Sequence, residues 1–312
     1  MNRDDVLELA GGFCEAALLQ EAVAWGLFDL TRTAASAASL ARRLGLLRDK
    51  LDPVLAALTA LGFLRRTRRG FVNAPLAARH LVTGAADDLR AYVLHLRHQW
   101  KLWRRLPEVL ARRGALPQQQ DRAVHRDPAR HRRFLAAMAQ ESAGSLSDVS
   151  KLPDWSNCSR FLDLGGGHGR HAVAIARRHP ALRGEVWDVP ASGPVVRAAI
   201  AKAGLEARLA FRDLDVVRGA SWPRERFDVV VVRHVLANFP APTIRRILAR
   251  AAARLAPGGR LLVISPWLDA GRATPAGNAL FAVHMMVGCE HGWVPPVPVL
   301  AAALRGCGLC VT

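Results

Sequence analysis

The segment Asp163-Leu164-Gly165-Gly166-Gly167-His168-Gly169 sets a carboxylate at the end of a short apolar run and follows it with glycines, after which the pattern turns helical. Glycines let a strand turn tightly into a helix and let a ligand approach the backbone, while the helix start offers unpaired N–H groups. Gly167-x-Gly169-x-x-Ala172, with Asp188 about 20 residues on, also satisfies the loose dinucleotide fingerprint. A pyrophosphate in that loop would meet the charge of Asp163, whereas a cationic nucleoside-like ligand would be attracted by it.

Three further sites fall at the ends of predicted strands. Asp188 closes the second, Asp213 lies just beyond the third, and Arg233 with His234 follows the fourth. Acids gathered at one end of a sheet are costly unless a ligand uses them. Asp188 is placed for ribose hydroxyls, and Asp213 for an exocyclic amine of a base stacked on Leu214. Arg233 is placed for a carboxylate.

These residues need a scaffold that aligns strand ends. From Arg160 onward, strands at Phe161 to Leu164, Glu185 to Val189, Ala207 to Phe211, Phe227 to Val232 and Arg260 to Ile264 alternate with helices. Such alternation predicts a Rossmann-like α/β domain, a parallel sheet with helices on both faces and ligands at the carboxyl ends of the strands.

The first half of the chain reads differently. Val6 to Leu30 is nearly unbroken helix former, apolar on most faces, which requires a cover, either its own domain or, as the favoured expectation, a second subunit. Ser36 to Leu44 and Asp52 to Leu61 are shorter helices, the latter opened by Asp52 as N-cap and Pro53 at the first position and closed by Gly62. Phe63 to Arg66 and Gly70 to Asn73 then form a hairpin around Thr67-Arg68-Arg69, which completes a winged helix. Its recognition-like helix, Val54 to Leu61, carries almost no group able to read a base edge, so DNA recognition is disfavoured even though Arg65, Arg66, Arg68 and Arg69 could touch phosphates. Residues from about Ala86 to Ser150 are helical and Arg-rich, with Trp100, Trp103, Phe134 and Met138 among the apolar positions and a break at Gly114 to Gln120.

Composition narrows the remaining choices. At 312 residues, two domains can each bury a core. The formal charge of +18 is the excess of 44 basic over 26 acidic residues, and of the basic ones only Lys50, Lys101, Lys151 and Lys202 are lysines. That skew, beside abundant alanine, reads as coding bias more than as a selected nucleic-acid surface. Cys14, Cys158, Cys289, Cys307 and Cys310 make no disulfide framework, and the Cys307-Gly-Leu-Cys310 spacing lacks a second pair, so it reads as two incidental buried thiols with no metal. No run of about 18 uncharged apolar residues suggests a membrane span, and the acidic N-terminus is unlike a secretory signal, so a cytoplasmic protein is expected.

The strand-turn DLGGGHG, Glu185-Val186-Trp187-Asp188-Val189-Pro190, Arg233-His234-Val235-Leu236 and Ala256-Pro257-Gly258-Gly259-Arg260-Leu261 together resemble the small-molecule methyltransferases related to caffeate and acetylserotonin O-methyltransferases. Glu21-Ala22-Val23-Ala24-Trp25-Gly26-Leu27-Phe28-Asp29 and Leu58 to Leu64 are similar to their winged-helix dimerisation domain. The resemblance implies a dimerisation domain over residues 1–95, linking helices over 96–150 that contribute to an acceptor pocket, and a cofactor domain over 151–312. It further implies a homodimer that holds S-adenosylmethionine through Asp163, Gly165, Gly167, Gly169, Asp188, Asp213, Leu214 and Arg233, and that methylates a small aromatic or polyketide-like bacterial metabolite.

Two departures from the family pattern stand out. The family's general base is a histidine just after the fourth strand, where this chain reads Val235-Leu236-Ala237-Asn238-Phe239, and the supporting acids are replaced by Pro266 and Val294. A phenol, with a pKa of about 10, usually needs such a base. His284 on a pocket-lining helix, His291 beside Glu290, and His234 are the substitute candidates. An acceptor that needs no protein base, nitrogen or carbon included, and a catalytically silent binding or assembly subunit are the alternatives. Secondly, the chain stops at Gly308-Leu309-Cys310-Val311-Thr312, where the family would enter a strand and a closing antiparallel strand, so an exposed sheet edge is expected.

Overall fold

The computed structural model describes residues 2–112, 127–152, 154–219, 222–271 and 273–312. The break expected at Gly114 to Gln120 lies outside them. Two compact units are present, one of residues 1–101 and 136–141 and the other of residues 102–135 and 142–312.

In the first unit the long N-terminal helical pattern is divided into α1 (Arg3–Gly11), α2 (Phe13–Ala24) and α3 (Leu27–Leu30). Gly26, at φ 69°, turns the chain between α2 and α3, a conformation glycine adopts without strain. Helix α4 (Ala37–Leu44) begins as expected with the Ser36 side chain accepting from Ser39 N–H. Helix α5 (Arg48–Ala60) corrects the sequence expectation, for it starts one turn before Asp52 and carries Pro53 in its interior. The reason is packing: Leu51, Leu55 and Leu58 form one buried stripe, so the apolar face extends further back than the Asp-Pro signal. Strands β1 (Leu64–Thr67) and β2 (Gly70–Asn73) pair antiparallel as the wing, and the outward face of α5 presents Asp52, Ala56 and Ala60. Buried Asn73 ties the wing to the helices, donating to the Phe28 carbonyl at 2.8 Å and accepting from the Thr31 hydroxyl at 2.6 Å.

Helices α6 (Pro75–His80), α7 (Arg90–Trp103), α8 (Leu106–Ala111), α9 (Pro128–Glu141) and α10 (Leu146–Lys151) follow. The second unit is then built on β3 (Arg160–Leu164), β4 (Arg183–Asp188), β5 (Leu209–Asp213), β6 (Phe227–Arg233) and β7 (Leu255–Ile264), all parallel in the order β5-β4-β3-β6-β7. Val229 to Val232 are fully buried, as a strand covered on both faces requires. Phe161, Val186, Val229 and Val231 pack on one face with α11 (Arg170–Arg178) and α12 (Gly193–Ala203). Leu162, Leu164, Trp187, Val230 and Val232 pack on the other with α13 (Ala241–Ala252). Trp187 anchors that second face, edge-on to Phe227 at 5.6 Å, and its truncation to alanine should cost about 3–5 kcal/mol. Helices α14 (Ala276–Gly288) and α15 (Val297–Arg305) complete the unit, and β7 is a sheet edge.

The chain turns from β3–β4 to β6 on opposite sides of β3, so the crevice at the strand ends opens beside the glycine loop. Among the described residues no helix is long and apolar enough to cross a membrane, and no group of His, Cys, Asp or Glu is arranged to hold a metal. All five cysteines are free, and Cys310 is exposed and Cys307 only partly buried, so the pair is not the buried one expected.

Candidate functional site

Strand parity gathers the charges. Asp163 shares a face with Phe161, Asp188 with Val186, Asp213 with Phe211 and Arg233 with Val231, so all four side chains start on the α11–α12 side of the sheet. Asp163 is 2% exposed, its Oδ2 has no hydrogen-bond partner among the described residues, and a Cβ on Gly166 would stand 2.6 Å from that oxygen. Burial, with the charge of Asp188 added, raises its pKa to about 7, while Arg233 and the Ala172 N–H pull it back. Gly165, Gly167 and Gly169 have φ of 71°, 54° and 71°, and Gly169 opens α11 in the left-handed region.

Asp188 holds that loop in shape. Its Oδ2 accepts from Gly167 N–H at 2.7 Å, and its Oδ1 accepts from Val189 N–H at 2.6 Å and the Ser192 hydroxyl at 3.0 Å. Because Ser192 donates to the carboxylate, the His131 contact at 2.9 Å must be an Nε2–H donated to Ser192. Asp213 is the last residue of β5, in register with Asp188, and is exposed. Leu214 departs from its expected place: one residue further, it points to the opposite face and packs with Trp187 and Phe227, so only its N–H, bonded to the Asp188 carbonyl at 2.8 Å, reaches the site.

Arg233 donates to the Ser145 hydroxyl at 3.0 Å. Ser145 in turn donates to the Ser142 carbonyl, which leaves its lone pairs for Arg233 and for His171 Nε2 at 3.5 Å. His168 Nδ1 caps the first N–H of α11, from Arg170 at 3.2 Å, and its Nε2 bonds Ser142 Oγ at 3.1 Å. Burial, then neighbouring arginines, push His168 down to about 4 and His171 to about 3, so both are neutral near pH 7. Sequence reasoning missed His131, Ser142, Ser145, Ser192, His168 and His171. His168 and His171, three residues apart across the glycine turn, were readable as a pair at a helix start, whereas the serines carry no local signal.

The far end of the crevice follows β6. His234 is exposed, adopts φ 52°, and is pushed down to about 4 by partial desolvation and Arg233. Ala237 is 2% exposed and its carbonyl accepts from Trp293 N–H at 3.0 Å, with Val294 buried beside that contact in sequence. Cys289 Sγ, just past α14, lies 3.7 Å from Asn238 Oδ1. His284, on α14, accepts at Nδ1 from the Trp103 indole at 3.2 Å. His291 is exposed, 3.8 Å from the Glu290 carboxylate. The three candidate histidines therefore have distinct surroundings, and no shared acid orients them among the described residues.

Comparison with known proteins identifies the family. Residues 7–83 match the O-methyltransferase dimerisation domain and residues 114–296 the O-methyltransferase domain. The chain belongs to the O-methyltransferase family. It is 33% identical over 277 residues to the N,N-dimethyltransferase OxyT of Streptomyces rimosus, covering 86% of this chain and 80% of that one. It is 30% identical over 294 residues to the tetracenomycin polyketide synthesis 8-O-methyl transferase TcmO of Streptomyces glaucescens, covering 92% and 86%. A solved O-methyltransferase family protein from Burkholderia thailandensis superposes with a TM-score of 0.92 at 34% identity, covering 100% of this chain and 94% of that one. The family uses S-adenosylmethionine, and the residues present fit it: a buried carboxylate oxygen without a partner for a cationic group, a glycine turn no side chain could fill, and Arg233 on the same face.

Proposed function

We propose that this protein transfers the methyl group of S-adenosylmethionine to a small aromatic or polyketide-like acceptor. Asp163, Asp188, Asp213 and Arg233 would hold the cofactor's ammonium, ribose, base and carboxylate, with the glycine turn against its backbone-facing side. The cofactor supplies an activated methyl on a sulfonium, so the protein's task is to align the acceptor and exclude water. Homodimerisation through the 7–83 region belongs to the same reading, supported by the family match and by the exposed apolar side chains of α1.

The observation that carries the finer reading is Ala237. It occupies the position at which the family resemblance expects the proton-abstracting histidine, and its buried methyl and engaged carbonyl leave nothing to take a proton. An acceptor atom with its own lone pair, such as an amine nitrogen or an already ionised hydroxyl, needs no such base. The N,N-dimethyltransferase among the relatives favours nitrogen over carbon. Calorimetric titration with S-adenosylmethionine, beside an Asp188→Ala control, tests the reading. Micromolar binding that the control loses is expected, and no binding by the folded chain would overturn it in favour of a silent assembly subunit.

A further inference from the structure

His284 is held in one tautomer by its neighbours. The Trp103 indole N–H can only donate, so the ring nitrogen it meets at 3.2 Å, Nδ1, must present a lone pair. The proton of the neutral ring is then on Nε2, which has no hydrogen-bond partner among the described residues. The ring is stacked on Phe281 at 5.8 Å and 18°, and tilted 41° to Trp103 at 6.2 Å. Protonating Nδ1 would set two N–H groups against each other, and burial also pushes the group below its ordinary pKa. The group placed to act as a base is thus a donor instead.

Its location ties it to the acceptor. Cys289 on Asn238 and Trp293 N–H on the Ala237 carbonyl bring the end of α14 onto the turn after β6. His284 stands five residues before Cys289, about 7 Å along the helix. A fixed donor next to two aromatic rings, on the helix whose end meets the turn where a proton acceptor is missing, suits a flat molecule with an oxygen at its edge.

We propose that His284 recognises an oxygen atom of the methyl acceptor through its Nε2–H, with Trp103 as the positioning residue that sets the tautomer, so that the acceptors are aromatic molecules bearing a carbonyl or ionised hydroxyl. This rests on the methyltransferase reading and adds the acceptor class to it. A donor that must be paired discriminates against an analogue lacking the oxygen.

Two measurements on the full chain with S-adenosylhomocysteine test it. In 15N-histidine NMR, the His284 signals, assigned by their loss in His284→Gln, should show the Nε2–H tautomer from about pH 6 to 8. Trp103→Phe should convert the neutral ring to a tautomer mixture, a change that relief of burial, which by itself only raises the pKa, would not produce. In binding assays with 1-tetralone and its deoxygenated analogue tetralin, the ketone should bind at least about 5-fold tighter to the wild type and to His284→Gln, which keeps an N–H donor, and equally to His284→Leu. An Nδ1–H or charged ring in the wild type overturns the proposal. So does the absence of a ketone preference, including no binding of either probe. If S-adenosylhomocysteine itself fails to bind, the methyltransferase reading falls, while tautomer and ketone preference are still read directly.

Discussion

The two ends of the strand-end crevice are built on different principles. At the ends of the strands themselves, charged groups are interlocked: Asp188, closing β4, takes hydrogen bonds from Gly167, Val189 and Ser192, and Arg233, closing β6, is fastened to Ser145. In the turn after β6 stands the methyl group of Ala237, and on α14 a histidine whose lone pair is already taken by Trp103. On the proposed function, the first group would hold a charged cofactor, and the second would position an acceptor without removing its proton. The contrast teaches that cofactor retention and acceptor chemistry can vary separately within one fold, because the strand ends supply one and the following turn and helix the other.

The largest expected effect comes from erasing the charge at the cofactor end. Asp163→Asn should weaken S-adenosylmethionine binding by about 100-fold, since it removes a buried countercharge, yet raise thermal stability, since Asn has no ionised form to desolvate. A calorimetric titration paired with a melting curve reads both, and unchanged affinity would dissolve the contrast between the two ends. Gly166→Ala comes next. The added carbon would stand 2.6 Å from Asp163 Oδ2 and 2.7 Å from Val186 Cγ1, so a loss of about 1–3 kcal/mol in urea unfolding is expected together with weaker binding.

Acid should then act on the same end. His168 and His171 have folded pKa values of about 4 and 3 against 6.5 unfolded, so their contribution is intact above pH 6.5 and is lost as pH falls below it. At pH 5 each subtracts about 2 kcal/mol. Asp163 works in the opposite sense: its raised pKa disfavours the fold as pH rises from 3.8 towards about 7, so acidification relieves it and offsets about one histidine. Urea midpoints at pH 7.5 and 5 should therefore fall modestly in the wild type and more steeply in Asp163→Asn. The smallest effect belongs to the other end. Ala237→His should change the rate by less than about 3-fold on an amine or ionised acceptor. A hundredfold gain in a methyl-transfer assay would show instead that the reaction needs the missing base.

Much of the cofactor end was legible beforehand because strand-end residues are fixed by a two-residue period. Once Phe161, Val186 and Val231 are core, Asp163, Asp188 and Arg233 must share a face. The same period argues against Leu214 as an open apolar surface, which reading it beside Asp213 overlooked. Pro53 misled the start of α5 because a local cap signal was weighed above the Leu51–Leu55–Leu58 stripe. The pairings His131–Ser192, Ser142–His168 and Trp103–His284 join residues 61, 26 and 181 positions apart, and no local pattern encodes contacts of that range.

The chain from His131 through Ser192 and Asp188 to the Gly167 amide also bears on how fast the cofactor is captured. A glycine loop with no such tether would sample many backbone states and close only after encounter, giving a slow second phase whose rate levels off with ligand concentration. Here folding has already selected one shape, so association should proceed in a single step, with an observed rate that climbs linearly with cofactor and a residence time set by departure alone.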